Sequence, residues 1–169
     1  IYANSSTYLT LSQNQITDYS NEGIYLNQAC YYATIDSNTI ANNGSHGIVF
    51  NNYNSNSTIT NNTITNNSDY GISIDDYNDN VAIQNNIISS NNGYGIRFDE
   101  QNNNITIQDN TITGNGDNGI YFYRYNYGST IQNNTISGHS SRGIYFDYYN
   151  YSNIIDNLIY NNGEYGIRL

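Results

Sequence analysis

Several residue types that most folds use are missing or scarce in this sequence. Proline, methionine, tryptophan and lysine are absent, and Cys30 is the single cysteine, so no internal disulfide can form. Because lysine is absent, four arginines provide all of the positive side-chain charge counted at pH 7. Together with 14 acidic residues they give a formal net charge of −10. Such a surface repels phosphate backbones, so nucleic acid is not an expected partner. No apolar run is long enough to span a bilayer, so membrane insertion is not expected either.

Two residue types are present in excess. Asparagine makes up about a fifth of the chain, and tyrosine occurs 20 times in 169 residues. A polar, low-complexity composition of this kind is also typical of disordered chains. The apolar residues, however, are strictly spaced, and their spacing predicts a single ordered domain over residues 1–169.

One unit of 24 residues repeats along the whole chain. A glycine followed by isoleucine marks each unit, at Gly23, Gly47, Gly71, Gly95, Gly119, Gly143 and Gly166. A second series in phase with it consists of Leu11, Ile35, Ile59, Ile83, Ile107, Ile131 and Ile155, and a third of Ile16, Ile40, Ile64, Ile88, Ile112, Ile136 and Ile159. The last step is one residue short, and these series place the missing residue between Ile155 and Ile159. A period of this length is typical of solenoid proteins.

Within one unit, apolar and polar residues alternate as they do in half-buried strands. Residues 95–99, 105–108 and 111–113 each read as a short strand, and none is long enough for a helix. Three strands per unit, joined by turns, require the chain to wind so that each strand stacks on its copy one coil earlier. The sequence therefore predicts an all-β, single-stranded parallel β-helix of about seven coils, with coils about 4.8 Å apart.

Stacking places like residues on like. One inner stripe is expected to contain Leu26, Phe50, Ile74, Phe98, Phe122, Phe146 and Leu169. The glycine before each isoleucine indicates a special backbone conformation or a close approach that a Cβ would block. Asparagine ladders are expected at the turns, the first at Asn14, Asn38, Asn62, Asn86, Asn110, Asn134 and Asn157, the second at Asn43, Asn67, Asn91, Asn115 and Asn162, and the third at Asn54, Asn78, Asn102, Asn126 and Asn150. Most of the asparagine is therefore assigned a structural role.

The unit Asn-x-Ile-x-x-Asn, followed by Gly-Ile-x-Phe and then Ile-x-Ile, resembles the right-handed parallel β-helix repeat of the pectate-lyase-like superfamily. The resemblance covers essentially the whole chain and implies the fold. It leaves the function open, because the superfamily includes polysaccharide lyases, hydrolases and epimerases as well as adhesins and many surface proteins.

In enzymes of that superfamily the substrate cleft usually follows the outside of the strand that begins here with Gly-Ile. Five acidic residues are expected to lie close together near this strand across two coils, and they are Asp75, Asp76, Asp79, Asp99 and Glu100. Arg97 is the one cation near them. Asp75, Asp99 and Arg97 are the candidates for acid–base chemistry on a uronic-acid polymer. The carboxylates of Asp75, Asp76, Asp99 and Glu100 are the candidates for a Ca²⁺ site.

The sequence favours a simpler explanation, in which acidic turn residues provide solubility and resist aggregation. The chain contains neither the paired-Asp and Gly-His-Gly pattern of pectin hydrolases nor the Asp-Pro-His of epimerases. His46 and His139 each look isolated from the acidic group, so a histidine-based metal site is not expected. We therefore expect no cofactor, with Ca²⁺ as the possible exception, and favour a protein that is not an enzyme.

Exposed aromatic and threonine arrays are the remaining signals. Outward tyrosines with an expected binding or packing role are Tyr121, Tyr123, Tyr125, Tyr145 and Tyr149. Such rows can contact sugar rings or pack on another protein. Thr-x-Thr pairs on the third strand resemble ice-binding solenoids, but they are interrupted by Gln15, Ala41 and Ile87, so ice binding is a minor alternative.

The sequence has no recognisable cap at either end. It opens on a strand that mirrors residues 24–27 and closes in mid-strand at Leu169. We therefore expect either a segment of a longer protein or a subunit that stacks head to tail into a fibre. Its partners are then copies of itself or flanking coils. The favoured function is a structural solenoid at the cell surface or outside the cell, and the alternative is a polysaccharide-binding or polysaccharide-modifying module.

Overall fold

The fold is a parallel β-solenoid. A computed structural model describes all 169 residues, and it contains 22 short strands and no helix. The strands form three parallel sheets of eight, seven and seven strands, and each coil contributes one strand to each sheet. The prediction of about seven coils with three strands each is confirmed. No helix is available that could span a membrane.

The strands are short because a turn follows every few residues. Sheet 1 contains Tyr2–Ala3, Ile24–Gln28, Ile48–Asn52, Ile72–Ile74, Ile96–Glu100, Ile120–Arg124, Ile144–Phe146 and Ile167–Arg168. Sheet 2 contains Thr10–Ser12, Thr34–Asp36, Thr58–Thr60, Ala82–Gln84, Thr106–Gln108, Tyr127–Gln132 and Tyr151–Ile155. Sheet 3 contains Gln15–Thr17, Thr39–Ala41, Thr63–Thr65, Ile87–Ser89, Thr111–Thr113, Thr135–Ser137 and Leu158–Tyr160.

The register follows the 24-residue repeat until the last coil. Ile83 pairs with Ile107, and Ile107 pairs with Ile131, but Ile131 pairs with Ile154 rather than with Ile155. The shift lies where Gly128, with a positive φ of 71°, bulges between the partners of Tyr151 and Ser152. The predicted position of the missing residue was therefore wrong. Because the side-chain period of a strand is two, the slip turns Ile155 outward.

The core is a set of continuous apolar columns inside the coils. Twenty-seven buried residues form one cluster, and the rings of Phe98, Phe122 and Phe146 stack at centroid distances of 4.3 and 4.7 Å. Leu169 was predicted to belong to this stripe; Arg168 before it stays in register with Tyr145, and the Leu169 side chain is 87% exposed. Burial of each large side chain contributes about 1.5–3 kcal/mol, so the columns hold the coils together.

The asparagine ladders connect each coil to the next. In the first ladder the Oδ1 of Asn110 accepts bonds from the backbone N–H and the Nδ2 of Asn86, at 2.9 and 3.0 Å. The Nδ2 of Asn110 donates in turn to the carbonyl oxygen of Ile83, at 2.8 Å. The same pattern repeats at Asn38, Asn62, Asn86 and Asn134. The structural role predicted for these asparagines is confirmed, because their amides satisfy backbone groups that the tight turns leave unpaired.

The regular recurrence of Gly-Ile reflects a close approach between coils. A Cβ added to Gly95 would lie 2.5 Å from the carbonyl oxygen of Gly119 and 2.6 Å from Cγ2 of Ile112. The same close approach, rather than a positive φ, applies at Gly47, Gly71, Gly119 and Gly143. Glycine is required at this corner so that the chain can pass from sheet 3 into sheet 1.

Candidate functional site

The outer face of sheet 1 is where the charged and aromatic side chains of the molecule are concentrated. All four arginines lie on this face or at its edge, and each of them lies over a tyrosine ring. Arg97 lies 5.8 Å from the ring centroid of Tyr70, and Arg142 lies 4.6 Å from that of Tyr145. By contrast, the outward positions of sheet 3 carry mostly threonine and serine, with Gln15, Tyr160 and a few aliphatic residues, and no charge. The three faces of the solenoid are therefore chemically distinct.

A groove of about 360 Å³ runs across the first four coils of this face. Its floor is formed by Val49 and Ser73, which face outward from sheet 1 yet are only 3% and 2% exposed. The walls cover these two residues, and the lining consists of Glu22, Tyr25, His46, Val49, Asp69, Tyr70, Ser73, Asp75, Arg97 and Asp99. A bare solenoid without long loops thus builds a groove from side chains at the corner that precedes each glycine.

His46 belongs to this groove, so its predicted isolation was wrong. Its Nδ1 accepts the backbone N–H of Tyr70 at 3.2 Å, and its ring stacks on that of Tyr70 at a centroid distance of 4.6 Å. The carboxylate of Asp69 lies 3.7 Å from the same nitrogen. Because Nδ1 accepts a hydrogen bond, the proton of the neutral ring is assigned to Nε2. The neutral ring of His46 therefore has an Nε2–H group that can donate a hydrogen bond, and the chain one coil later holds the ring in place.

Arg97 and two carboxylates form the polar centre of the groove. The Nη2 atom of Arg97 lies 2.9 Å from the carboxylate of Asp99, and Nη1 lies 3.8 Å from that of Asp75. The hydroxyl of Ser73 donates to Asp75 at 2.8 Å. Burial raises the pKa of Asp75 above its usual range, although the bond from Ser73 and the charge of Arg97 oppose the rise. Burial lowers the pKa of Arg97, but the charge and hydrogen bond of Asp99 outweigh it, so the net pKa is raised.

The other predicted acidic residues do not join this centre. Asp76 accepts the backbone N–H of Glu100 at 3.1 Å, and Glu100 pairs with Arg124. Asp79 accepts bonds from the backbone N–H and the Nδ2 of Asn103, at 2.8 and 3.0 Å. The structure therefore brings together Asp75, Asp99 and Arg97 and separates the rest. No group of three or more histidine, cysteine and acidic side chains is arranged to hold a metal ion.

A column of aromatic rings forms one side of the face and extends beyond the groove. Its rings are, in order, His46, Tyr70, Tyr94, Tyr121 and Tyr145, with successive centroid distances of 4.6, 4.9, 5.0 and 5.3 Å. Burial, helped by the charge of Asp117, raises the pKa of Tyr94 to about 12. Burial and the neighbouring Asp147 raise the pKa of Tyr121 as well. These phenols therefore remain protonated, and that of Tyr121 donates to Asp147 at 3.3 Å.

The column does not follow from the repeat alone. Tyr70 and Tyr94 directly precede the glycine of their coils, whereas Tyr121 and Tyr145 are the second residue after it. The column therefore changes its sequence position between the fourth and fifth coils and still remains continuous. Because neighbouring rings cover most of each other's faces, the column presents ring edges and hydroxyl groups to a ligand.

The tyrosines singled out in the sequence fall into two groups. Tyr121 and Tyr145 are part of the column, at 5.3 Å from each other. Tyr125 and Tyr149 stack at 5.8 Å on the corner between sheets 1 and 2, and Tyr123 packs edge-on against another ring. The sequence interpretation missed His46, Tyr70 and Tyr94. A signal for them exists, because the residue before each glycine is large and polar or aromatic in every coil.

Comparison with known proteins identifies relatives of the fold. The family model described as a right-handed β-helix region matches residues 1–127. No curated protein sequence matches significantly.

Similar solved structures include two epimerases and one further catalytic domain. The periplasmic alginate epimerase AlgG is 20% identical, with a TM-score of 0.86 over 94% of this chain and 41% of that one. The A-module of the mannuronan C-5 epimerase AlgE4 of Azotobacter vinelandii is 20% identical, with a TM-score of 0.73 over 96% of this chain and 56% of that one. The Agl-KA catalytic domain is 17% identical, with a TM-score of 0.66 over 95% of this chain and 42% of that one. The chain thus spans about two fifths to a little over half of these proteins, and the likeness shows the fold.

Proposed function

The chain belongs to the right-handed β-helix family, and from this premise we propose that it binds a polysaccharide along the outer face of sheet 1. The observation that carries the proposal is the aromatic column, which stays continuous although its residues change sequence position. The preference of tyrosine for strands explains tyrosines that recur at the same repeat position. It does not explain why the tyrosine moves to another repeat position at Tyr121 while its ring still contacts that of Tyr94.

The chemistry of the face suits a polymer of sugars. Tyrosine rings recur along the column at centroid distances of 4.9, 5.0 and 5.3 Å, a spacing set by the coils, and each ring carries a hydroxyl group. Carboxylates and amides beside them accept and donate the hydrogen bonds that sugar hydroxyls make. Arg97 supplies a cation within the groove, and a guanidinium pairs with a carboxylate through two parallel bonds. A sugar acid seated there would compete with Asp99 for Arg97.

Similar proteins support the same class of ligand. Two of the similar structures carry names that describe epimerases of alginate or mannuronan, which are polysaccharides. The structural solenoid that the sequence favours has no comparable support, and it remains a prediction together with a location outside the cell and assembly through copies or flanking coils. Polysaccharide binding accounts for the concentration of arginine on one face, which a purely structural rod does not require.

Replacing Tyr70 with alanine is expected to weaken polysaccharide binding about tenfold, because the ring forms the groove wall and holds both His46 and Arg97. The control is Tyr160→Ala, which removes an exposed tyrosine from the outer face of sheet 3. Affinity electrophoresis in gels that contain alginate, polygalacturonate or a neutral glucan measures both effects. Circular dichroism verifies that both variants retain the β-fold.

The pattern across polymers then separates the possible ligands. Loss of binding in Tyr70→Ala with retention in Tyr160→Ala supports the proposed face. Arg97→Gln is expected to reduce the affinity for uronate polymers and to leave that for a neutral glucan nearly unchanged. If no polymer retards the wild-type protein, the proposal is wrong, and a structural function of the solenoid becomes the favoured hypothesis.

One observation favours a second candidate function, which is modification of the bound polymer. The groove places Asp75, whose pKa is raised, on the same lining as Arg97 and the Nε2–H group of His46. A carboxyl with a raised pKa can transfer a proton, and a guanidinium can neutralise a sugar carboxylate. Acid–base chemistry on uronates needs both kinds of group. Incubation with alginate, followed by proton NMR of the polymer, detects epimerised or unsaturated residues. Unchanged polymer restricts the protein to binding.

A further inference from the structure

The second asparagine ladder contains one residue that is not asparagine. Its members occupy the turn that leads from sheet 3 into sheet 1, and they are Asn43, Asn67, Asn91, Asn115, His139 and Asn162. At a typical step the Oδ1 of Asn91 accepts the backbone N–H of Asn67 at 3.0 Å, and its Nδ2 donates to the carbonyl oxygen of Ile64 at 3.2 Å. Each member thus links its coil to the one before.

His139 makes the same two bonds with its ring. Its Nδ1 accepts the backbone N–H of Asn115 at 3.2 Å, and its Nε2 lies 3.0 Å from the carbonyl oxygen of Ile112. The neutral ring with its proton on Nε2 therefore reproduces the two backbone bonds of an asparagine amide, whereas the side-chain bond between successive asparagines is not made at this step. The side chain is 2% exposed, so water cannot replace either partner.

Protonation removes this equivalence. A proton on Nδ1 would face the N–H of Asn115, which sets two donors against each other where an acceptor is needed. Asparagine has no such state, so this is the one link of the ladder that acid can break. Burial of the ring accordingly lowers the pKa of His139 to about 4, against the opposing effect of its two backbone bonds.

No charged group compensates for a proton at this position. The elements packed against the ring are the strand that contains Ile112, the turn at Asn115 and Gly119, and the turn at Asn162. The charged residues of these turns are engaged elsewhere. Arg142 pairs with Glu164, and the charge of Asp117 acts on Tyr94, whose pKa it helps to raise.

We propose that His139 is an acid-sensitive joint between the fifth and sixth coils, through which falling pH releases the bound polysaccharide. This regulation rests on the proposed function. The turn that His139 anchors continues into Arg142, which lies over the ring of Tyr145 at the end of the aromatic column. Opening of the turn therefore disconnects that end of the sheet 1 face.

The direction and size of the effect follow from linkage. The open form binds a proton with the ordinary histidine pKa near 6.5, whereas the closed form does so only near 4. Opening is therefore favoured as the pH falls through 6.5 and levels off below 4. Between pH 7.5 and pH 5 the open fraction is expected to rise about 30-fold.

Hydrogen exchange measured by mass spectrometry tests the joint directly. Wild type and His139→Asn are compared at pH 7.5 and pH 5, with correction for the intrinsic pH dependence of exchange. In the wild type, protection over residues 140–160 is expected to fall about 30-fold relative to residues 48–74. In His139→Asn the ratio is expected to stay constant, because asparagine completes the ladder. Acidic residues titrate equally in both proteins, so their effects cancel. Equal loss in both, or loss in neither, overturns the joint.

Two further measurements test the proposal independently of the hydrogen-exchange experiment. If His139→Asn fails to fold, ¹⁵N NMR of the wild-type ring decides, since a ring protonated in the intact protein at pH 6 contradicts the proposal. Affinity electrophoresis at both pH values should show weaker retardation at pH 5 for the wild type only; equal retardation at both values refutes release. If no polymer binds at either pH, the proposed function fails, but hydrogen exchange still decides whether the joint exists.

Discussion

Replacing Ile107 with aspartate is expected to prevent folding of the solenoid. The side chain is fully buried in a column between Ile83 and Ile131, where no polar group is available to pair with a carboxylate. Burial of an unpaired charge costs about 5 kcal/mol or more, and the lost apolar contacts add to this. Since domains of this size are stable by about 5–15 kcal/mol, the variant should lose its β-sheet circular dichroism signal at 25 °C.

The matched control is the same substitution at Ile87. That isoleucine lies on the outer face of sheet 3 and is 48% exposed, so aspartate there remains hydrated. We expect Ile87→Asp to unfold at nearly the wild-type urea concentration, with a change within about 0.5 kcal/mol. A folded Ile107→Asp variant, or equal damage at both positions, would show that the inward and outward assignments are wrong.

Replacing Asn110 with alanine is expected to destabilise the protein by about 3–5 kcal/mol. The change leaves the backbone N–H of Asn86 and the carbonyl oxygen of Ile83 without their partners at the first ladder. It also removes the bond from Asn110 to the Oδ1 of Asn134. All of these groups are buried, and each unpaired group costs about 1–3 kcal/mol. Urea denaturation followed by circular dichroism measures the effect.

Asn92→Ala provides the control for this prediction. Asn92 is exposed and its side chain makes no hydrogen bond, although it lies next to the ladder residue Asn91. We expect a change within about 0.5 kcal/mol. Should the two variants be equally stable, the ladders would be a consequence of the fold rather than a cause of its stability.

Most of the fold can be predicted from the sequence because a solenoid repeats one local problem. Each coil places Gly-Ile, two further isoleucines and a turn asparagine at the same repeat positions. The Gly-Ile series and the two isoleucine-rich series share one period of 24 residues, so together they locate these positions in every coil. The prediction went wrong at Ile155, because the bulge at Gly128 lies at the start of the strand Tyr127–Gln132, at a position that none of the three series samples. A slip of one residue reverses which side chain faces inward.

The candidate site could be predicted only in part. Asp75, Asp99 and Arg97 were found because they lie on the strand after the Gly-Ile pair, where inward and outward positions alternate simply. His46 was missed because it lies before its glycine, and its contact with Tyr70 depends on how the corner of one coil overlaps the next. The column from Tyr94 to Tyr121 crosses between two sequence positions, so no single periodic series contains it.

A footprint of the bound polymer tests the central claim most directly. Hydrogen exchange of the wild type is compared with and without the polysaccharide that binds most tightly in gels. We predict added protection over the sheet 1 strands and the turns that precede them, including residues 46–51, 70–75 and 94–99, with no change on sheet 3. Protection confined to sheet 3, or no protection with any polysaccharide, would contradict the assignment of the sheet 1 face as a polysaccharide-binding site.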